Sequence, residues 1–391
     1  MRPGLAASVG IFITALLCFL AIGAALPTLP TYVRGPLGSG DLAVGVVVGA
    51  FAVTSVVCRP LAGRQSDRRG RRVVLIAGAL AMTAGGVLYL LSNSVATLIA
   101  ARLVVGAGEG TVYTAGATWA VDLAPEDRRG FALGLFGLAV WGGLSLGPLA
   151  GELLRSSSGY DAVWALTAVL PAAAVVIAMR LPQPATPALS PQAEREALLP
   201  RATARPGIAL ALANIGYAAL AGFVVLALKA RGIGGGATVF TAFAVAVFAS
   251  RLVLSRVPDR AGARRTATAA GLLEALGLAV IASAHSLGLA LLGALIVGVG
   301  FSMLFPSLAL MVVGEVTDDR RGTAMGAFTA FFDIGVGLGG PIAGATAALA
   351  GYPAVFYLSA VAALGTAALA ASPERSRAPI AIGPRPGARR R

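Results

Sequence analysis

Apolar stretches long enough to cross a bilayer recur from one end of the chain to the other, separated by short polar segments. Their centres fall near Leu17, Val53, Ala84, Gly110, Val140, Thr167, Leu220, Val247, Gly277, Ser302, Asp333 and Val361. Each runs for roughly 18 residues or more, the length a helix needs to span hydrocarbon. The pattern therefore predicts an all-α membrane protein of about twelve transmembrane helices, six in each half.

The halves repeat one another. The arginine-crowded segment Gly63 to Arg72, GRQSDRRGRR, lies between two apolar runs, and a weaker copy, SRVPDRAGARR, runs from Ser255 to Arg265. One fixed offset matches Arg59 with Arg251, Arg64 with Arg256, Asp67 with Asp259, Arg68 with Arg260, Gly70 with Gly262 and Arg72 with Arg264. The same offset lays the DRRG at Asp127 to Gly130 on the DRRG at Asp319 to Gly322. An internal duplication follows, of the kind that gives pseudo-symmetric bundles.

Composition agrees with lipid as the solvent. Of 391 residues, 57% are hydrophobic and 12% charged, more apolar surface than a soluble domain of this size covers. The net charge of +14 would suggest nucleic acid in a soluble protein. Here it reads as topology, because the arginines cluster on alternate loops while Arg34, Arg155, Lys229 and Arg231 alone fall on the others. That bias predicts both termini in the cytoplasm. The first apolar run is read as a retained span rather than a signal peptide, since its removal would reverse the bias. Cys18 and Cys58 both sit inside spans and predict no structural disulfide.

Segment boundaries follow from punctuation. Residues 1–180 form the first six-helix bundle and 207–371 the second. Between them, residues 181–206 carry six prolines and mixed charge, the composition of a flexible linker. Residues 372–391, rich in proline, glycine and arginine, read as a basic disordered tail whose main role is a topology signal. Glycine recurs at small-residue spacing in the fifth span, at Gly134, Gly143, Gly147 and Gly151 with Pro148, and in the eleventh at Gly335, Gly339, Gly340 and Gly344 with Pro341. Such rows admit a close helix neighbour, and these two helices are expected to form the contact between halves.

Enzyme motifs are coincidental in this setting. Gly143 to Gly147 matches a nucleophile elbow and Gly335, Gly337 and Gly340 match GxGxxG, yet both lie within membrane helices instead of strand-to-helix turns. His285 is the one histidine, far in sequence from Ser145. No metal, cofactor or catalytic group is expected. What remains is a set of charges at lipid depth: Arg102, Glu109, Glu274 and Asp333. A carboxylate there is costly and takes either a proton or a charged partner, the property a proton carrier needs. Glu109 lies two turns from Arg102 on one stripe with Gly106 and Tyr113. Arg59 and Arg251, a turn before their loops, are read as snorkelling to the interface.

These residues resemble the major facilitator superfamily across nearly the whole chain. Gly63, Asp67, Arg68, Gly70, Arg71 and Arg72 match that family's signature loop after the second span. Arg102, Gly106 and Gly108 are similar to its fourth-span motif, with Val105 where glutamine is usual. Gly134, Gly143, Gly147, Pro148 and Gly151 resemble the antiporter motif of its twelve-span drug:proton exporters, with Glu152 replacing a last glycine. The resemblance implies two six-helix bundles around a central cavity and alternating access. It also implies a cytoplasmic latch of Asp67, Arg71 and Asp122, with Asp67 facing the start of the eleventh span. In the second half Ala263 replaces the matching arginine, so a latch of Asp259, Arg264 and Glu315 is the expected substitute.

The expected function is proton-coupled efflux of small amphipathic molecules across a bacterial inner membrane by a monomer, with Glu109, Asp333, Glu274 and Arg102 in proton coupling. Its partners are a small-molecule substrate, protons and the bilayer, and no nucleic acid. Tyr113, Trp141, Asn214, Tyr217, Phe301 and Phe305 are expected to line the cavity. An importer of a small organic solute, or a non-transporting sensor, is the alternative.

Overall fold

The computed structural model describes residues 3–124, 129–181, 201–254, 256–316 and 321–372. The DRRG residues 127, 128, 319 and 320, most of the 181–206 linker and the tail after residue 372 lie outside them. Among the described residues every regular element is helical: α1 (Pro3–Ala25), α2 (Thr28–Arg34), α3 (Asp41–Arg69), α4 (Arg71–Leu90), α5 (Val95–Asp122), α6 (Arg129–Met179), α7 (Arg201–Ala230), α8 (Gly236–Leu254), α9 (Val257–Ala261), α10 (Ala263–Ala282), α11 (Leu287–Gly314) and α12 (Arg321–Ala371).

Among the described residues ten helical segments are long and apolar enough to cross a membrane, and two of these, in α6 and α12, are each 48 residues long. At about 1.5 Å per residue each is twice the length required, so it must reverse. It does so at Gly159 (φ 81°) in α6 and Gly351 (φ 80°) in α12, a backbone conformation open to glycine. Counting each as two spans gives twelve. Large apolar side chains stand exposed on the outer surface, among them Leu153, Val253 and Leu349.

The offset that relates Arg59 to Arg251 holds throughout the backbone. It carries Gly159 onto Gly351, and Gly70 onto Gly262, both at φ 89° between consecutive helices. It carries the N-cap Ser94, whose hydroxyl accepts from Thr97 N at 3.2 Å, onto the N-cap Ser286, which accepts from Leu289 N at 3.3 Å. The duplication in sequence is thus a duplication of turns and caps.

The glycine rows do not all face where the spacing suggested. Gly143 and Gly147 of α6 pack against α1, in the same half: a Cβ on Gly147 would stand 2.6 Å from Ala24 N. The row itself therefore faces α1, while α6 meets the other half along a different face, where a Cβ on Gly142 would stand 3.7 Å from the Phe248 ring of α8. Glu152, at the end of the row, pairs with Arg155 at 2.6 Å. In α12 two rows diverge. Gly335 and Gly339 meet α7, whereas Gly337, Gly340 and Gly344 meet Asp41, Leu42, Gly45 and Gly49 of α3. A Cβ on Gly49 would lie 2.7 Å from Gly337 O, so α3 and α12 are in backbone contact across the two halves. At this end of the bundle Tyr352 also donates to Asp41 Oδ1 at 3.0 Å.

Candidate functional site

A cavity of about 110 Å³ lies between the halves, walled by α1, α3, α5 and α6 on one side and α7, α8, α11 and α12 on the other. Its charged lining residues are Arg59, Glu109, Arg251 and Asp333. Tyr113, Trp141, Tyr217, Phe301 and Phe305 line it as well. Asn214 does not; it is buried on α7, its Nδ2 donates to Leu210 O at 2.8 Å, and its Cβ faces Gly335.

Arg59 occupies the centre. Its Nε donates to Asp333 Oδ2 at 2.6 Å and its Nη2 to Asp333 Oδ1 at 3.1 Å, a two-pronged contact from α3 to α12. The same Nη2 reaches Glu109 Oε1 at 3.1 Å and Oε2 at 3.3 Å on α5. Ser55, one turn before Arg59, donates its hydroxyl to Glu109 Oε2 at 2.7 Å. The guanidinium carbon lies 4.7 Å from the centre of the Tyr113 ring. The carboxylate residues are nearly inaccessible, Glu109 at 6% and Asp333 at 0% exposure. Paired charges with satisfied hydrogen bonds are the form in which such groups are tolerated at this depth.

The snorkelling reading of Arg59 is therefore corrected. An inward carboxylate pair offers a guanidinium two strong acceptors, which outweighs the reach to the interface. The reading of Arg251 changes as well. Its guanidinium carbon sits 5.2 Å from the centre of the Trp141 ring, and its Nη1 lies 4.0 Å from where a Gly137 Cβ would be. Both contacts are on α6, in the opposite half.

The remaining charges fall elsewhere. Arg102, 1% exposed, donates from Nε to Val47 O at 3.0 Å and from Nη2 to Val48 O at 2.8 Å, and stands over Phe51. It ties α5 to α3 and makes no bond to Glu109. Glu274 is fully buried inside the second half, beside Gly216 of α7 and Gly300 of α11, and neither carboxyl oxygen has a hydrogen-bond partner.

At the end of the bundle that carries the arginine-rich turn, Arg71 stands between two carboxylates. It pairs with Asp67 and donates from Nε to Asp122 Oδ2 at 2.9 Å. Gly63 packs loosely near Thr114, Gly70 caps α3 with its N–H on Ser66 O, and Arg72 donates to Leu181 O at 3.2 Å. Arg68 lies in the last turn of α3, two residues before Gly70. In the second half Arg264 donates to Ala371 O at 2.9 Å, capping α12 instead of closing a latch with Asp259. The serine of the apparent nucleophile elbow, Ser145, donates to Trp141 O at 2.6 Å, while His285 is exposed in the turn between α10 and α11.

Comparison with known proteins follows the same fold. The Major Facilitator Superfamily model matches residues 11–238 and again residues 207–390. An uncharacterized MFS-type transporter of Salmonella typhimurium is 35% identical over 365 residues, 90% of this chain and 92% of that protein. One from Burkholderia pseudomallei is 30% identical over 361 residues, covering 90% and 88%. Among solved structures, the human organic anion transporter MFSD10 superposes with a TM-score of 0.72 at 20% identity, over 95% of this chain and all of that one. The nucleoside transporter NupG gives 0.76 at 16% identity, over 92% and 98%.

Proposed function

Because the chain belongs to the major facilitator superfamily and is a multi-pass membrane transporter, we propose that it exports small amphipathic molecules in exchange for protons. It does so by alternating access, as a monomer in a bacterial inner membrane with the arginine-rich turns and both termini in the cytoplasm. The observation that carries this reading is the bridge from Arg59 to Glu109 in one half and Asp333 in the other. A proton arriving on Asp333 or Glu109 removes one of the two charges that hold Arg59. The tie between halves then weakens, and the bundle is free to rock about the α3–α12 contact. Proton release restores the pair. One charge crossing the membrane is worth about 2.3 kcal/mol per 100 mV, enough to support accumulation against a gradient.

Asp67, Arg68 and Arg71 of the arginine-rich turn, with Asp122 from the end of α5, take the part of a cytoplasmic clasp that opens and closes with the cycle. An arginine between two carboxylates at a partly exposed end is easily made and broken. Glu274 and Arg102 lie outside the Arg59 cluster and are not assigned a step.

Everted membrane vesicles acidified inside by respiration test direction and coupling together. They should accumulate an exported amphiphile only while the gradient stands, and Asp333→Asn should abolish that accumulation. Loss of preloaded solute on acidification would reverse the direction to import, and equal uptake in wild type, Asp333→Asn and Glu109→Gln vesicles would remove proton coupling.

A further inference from the structure

The repeat exposes an asymmetry in the cavity. The offset that carries Arg59 onto Arg251 also carries Glu109 onto Phe301, Tyr113 onto Phe305 and Trp141 onto Asp333. Arg59 thus meets a carboxylate from its own half and one from the other half, whereas Arg251 occupies the equivalent place with Phe301 and Trp141 in those two positions. The guanidinium of Arg251 makes no hydrogen bond or ion pair with any described residue, and its Nε is buried. Its guanidinium stands over the face of Trp141. A guanidinium held inside a membrane cavity without a counter-charge is costly, and intramembrane charges of this kind mark substrate pathways.

We infer that Arg251 is the anion-binding element of this cavity, and that the transported class is an aromatic or amphipathic molecule bearing a carboxylate or comparable single negative charge. The inference deepens the export reading and rests on it for the word transported. The ring of the ligand would lie against Trp141, Phe301 and Tyr217, which already form an edge-to-face and stacked set at 5.7 Å spacings. Its anion would take the planar fork of Arg251, the geometry that suits a carboxylate. A cationic ligand finds no free partner, because Glu109 and Asp333 are both engaged by Arg59.

The charge balance is consistent with exchange. Arg59, Glu109, Asp333 and Arg251 sum to zero. A bound anion makes the moving unit minus one, and a proton without the anion makes it plus one. An inside-negative potential therefore favours outward movement of the first and inward movement of the second.

Calorimetry on the purified full chain in detergent, with 2-naphthoate, the neutral 2-naphthamide and the cationic 2-naphthylmethylammonium as probes, tests the inference. Naphthoate should bind saturably and at least about tenfold tighter than the amide, a difference of about 1.4 kcal/mol. Arg251→Gln should abolish that preference, and Arg251→Lys should retain part of it. Equal binding of naphthoate and amide, a preference for the ammonium probe, a preference unaffected by Arg251→Gln, or no saturable naphthoate binding to protein with a cooperative melt would each overturn it. The two readings separate cleanly. Anion preference without proton coupling in vesicles removes the exchange mechanism and keeps the site, whereas proton-coupled export of neutral or cationic probes that ignores Arg251 keeps the mechanism and removes the site.

Discussion

Arg59 Nε lies 2.6 Å from Asp333 Oδ2, a bond that joins the first six-helix bundle to the second at lipid depth. Removing the arginine strands Glu109 and Asp333 together. Arg59→Ala should lower stability by about 3–5 kcal/mol, the cost of leaving buried charge uncompensated. Adding Glu109→Gln and Asp333→Asn to that variant should recover most of the loss, as expected for residues that act as one unit. Thermal unfolding in detergent measures both, and a wild-type melt for Arg59→Ala alone would contradict the cluster.

The α3–α12 seam is backbone on backbone, so a side chain there has nowhere to go. Gly340 faces Gly49 N at 2.9 Å from where its Cβ would be. Gly340→Leu should hold this end of the bundle apart. In a background with Cys18→Ser and Cys58→Ser, a cysteine replacing Val48, which is 1% exposed, should then react with an impermeant maleimide at least about tenfold faster. That factor corresponds to a population shift of about 1.4 kcal/mol. Unchanged labelling would mean that the seam does not gate access.

Arg71 is a different kind of ion pair, since Asp67 and Asp122 are substantially exposed. Exposed pairs contribute little to stability, so Arg71→Ala should shift unfolding by no more than about 1 kcal/mol. Its effect should instead fall on the rate of transport, measured as initial efflux at saturating substrate. A full efflux rate in a stably folded Arg71→Ala protein would exclude a clasp.

No described residue gives the Glu274 carboxyl oxygens a hydrogen bond. Its place in the core of the second half, away from the cavity, predicts that Glu274→Gln keeps substrate-dependent proton movement. Loss of that movement in a variant with wild-type stability would bring Glu274 into the coupling path and require a second proton route.

Span number, the duplication and the charged turns could all be read from the chain because each depends on length, repetition or composition. The apolar runs are as long as the helices, and even the hidden reversals at Gly159 and Gly351 fall between two successive runs. The direction in which a residue faces could not be read in the same way. α3 is apolar around most of its circumference, so periodicity does not say whether Arg59 turns toward the interface or toward Glu109. A usable signal was nevertheless present: Ser55 and Arg59 share a helix face at i, i+4, and the repeat offset exchanges Glu109 for Phe301 and Trp141 for Asp333. That exchange marks the two arginines as unequal before any coordinates are known. The partner of the α6 glycine row is hidden for a related reason, since spacing shows that a close neighbour exists and not which helix supplies it.

The most direct test of proton exchange through the Arg59 cluster uses purified protein in liposomes with an imposed pH gradient and a trapped pH dye. Addition of a transported amphiphile should trigger proton entry in the wild type. That entry should be lost in Asp333→Asn and Glu109→Gln protein, each with a cooperative melt. Proton entry of wild-type size in both variants would contradict the account.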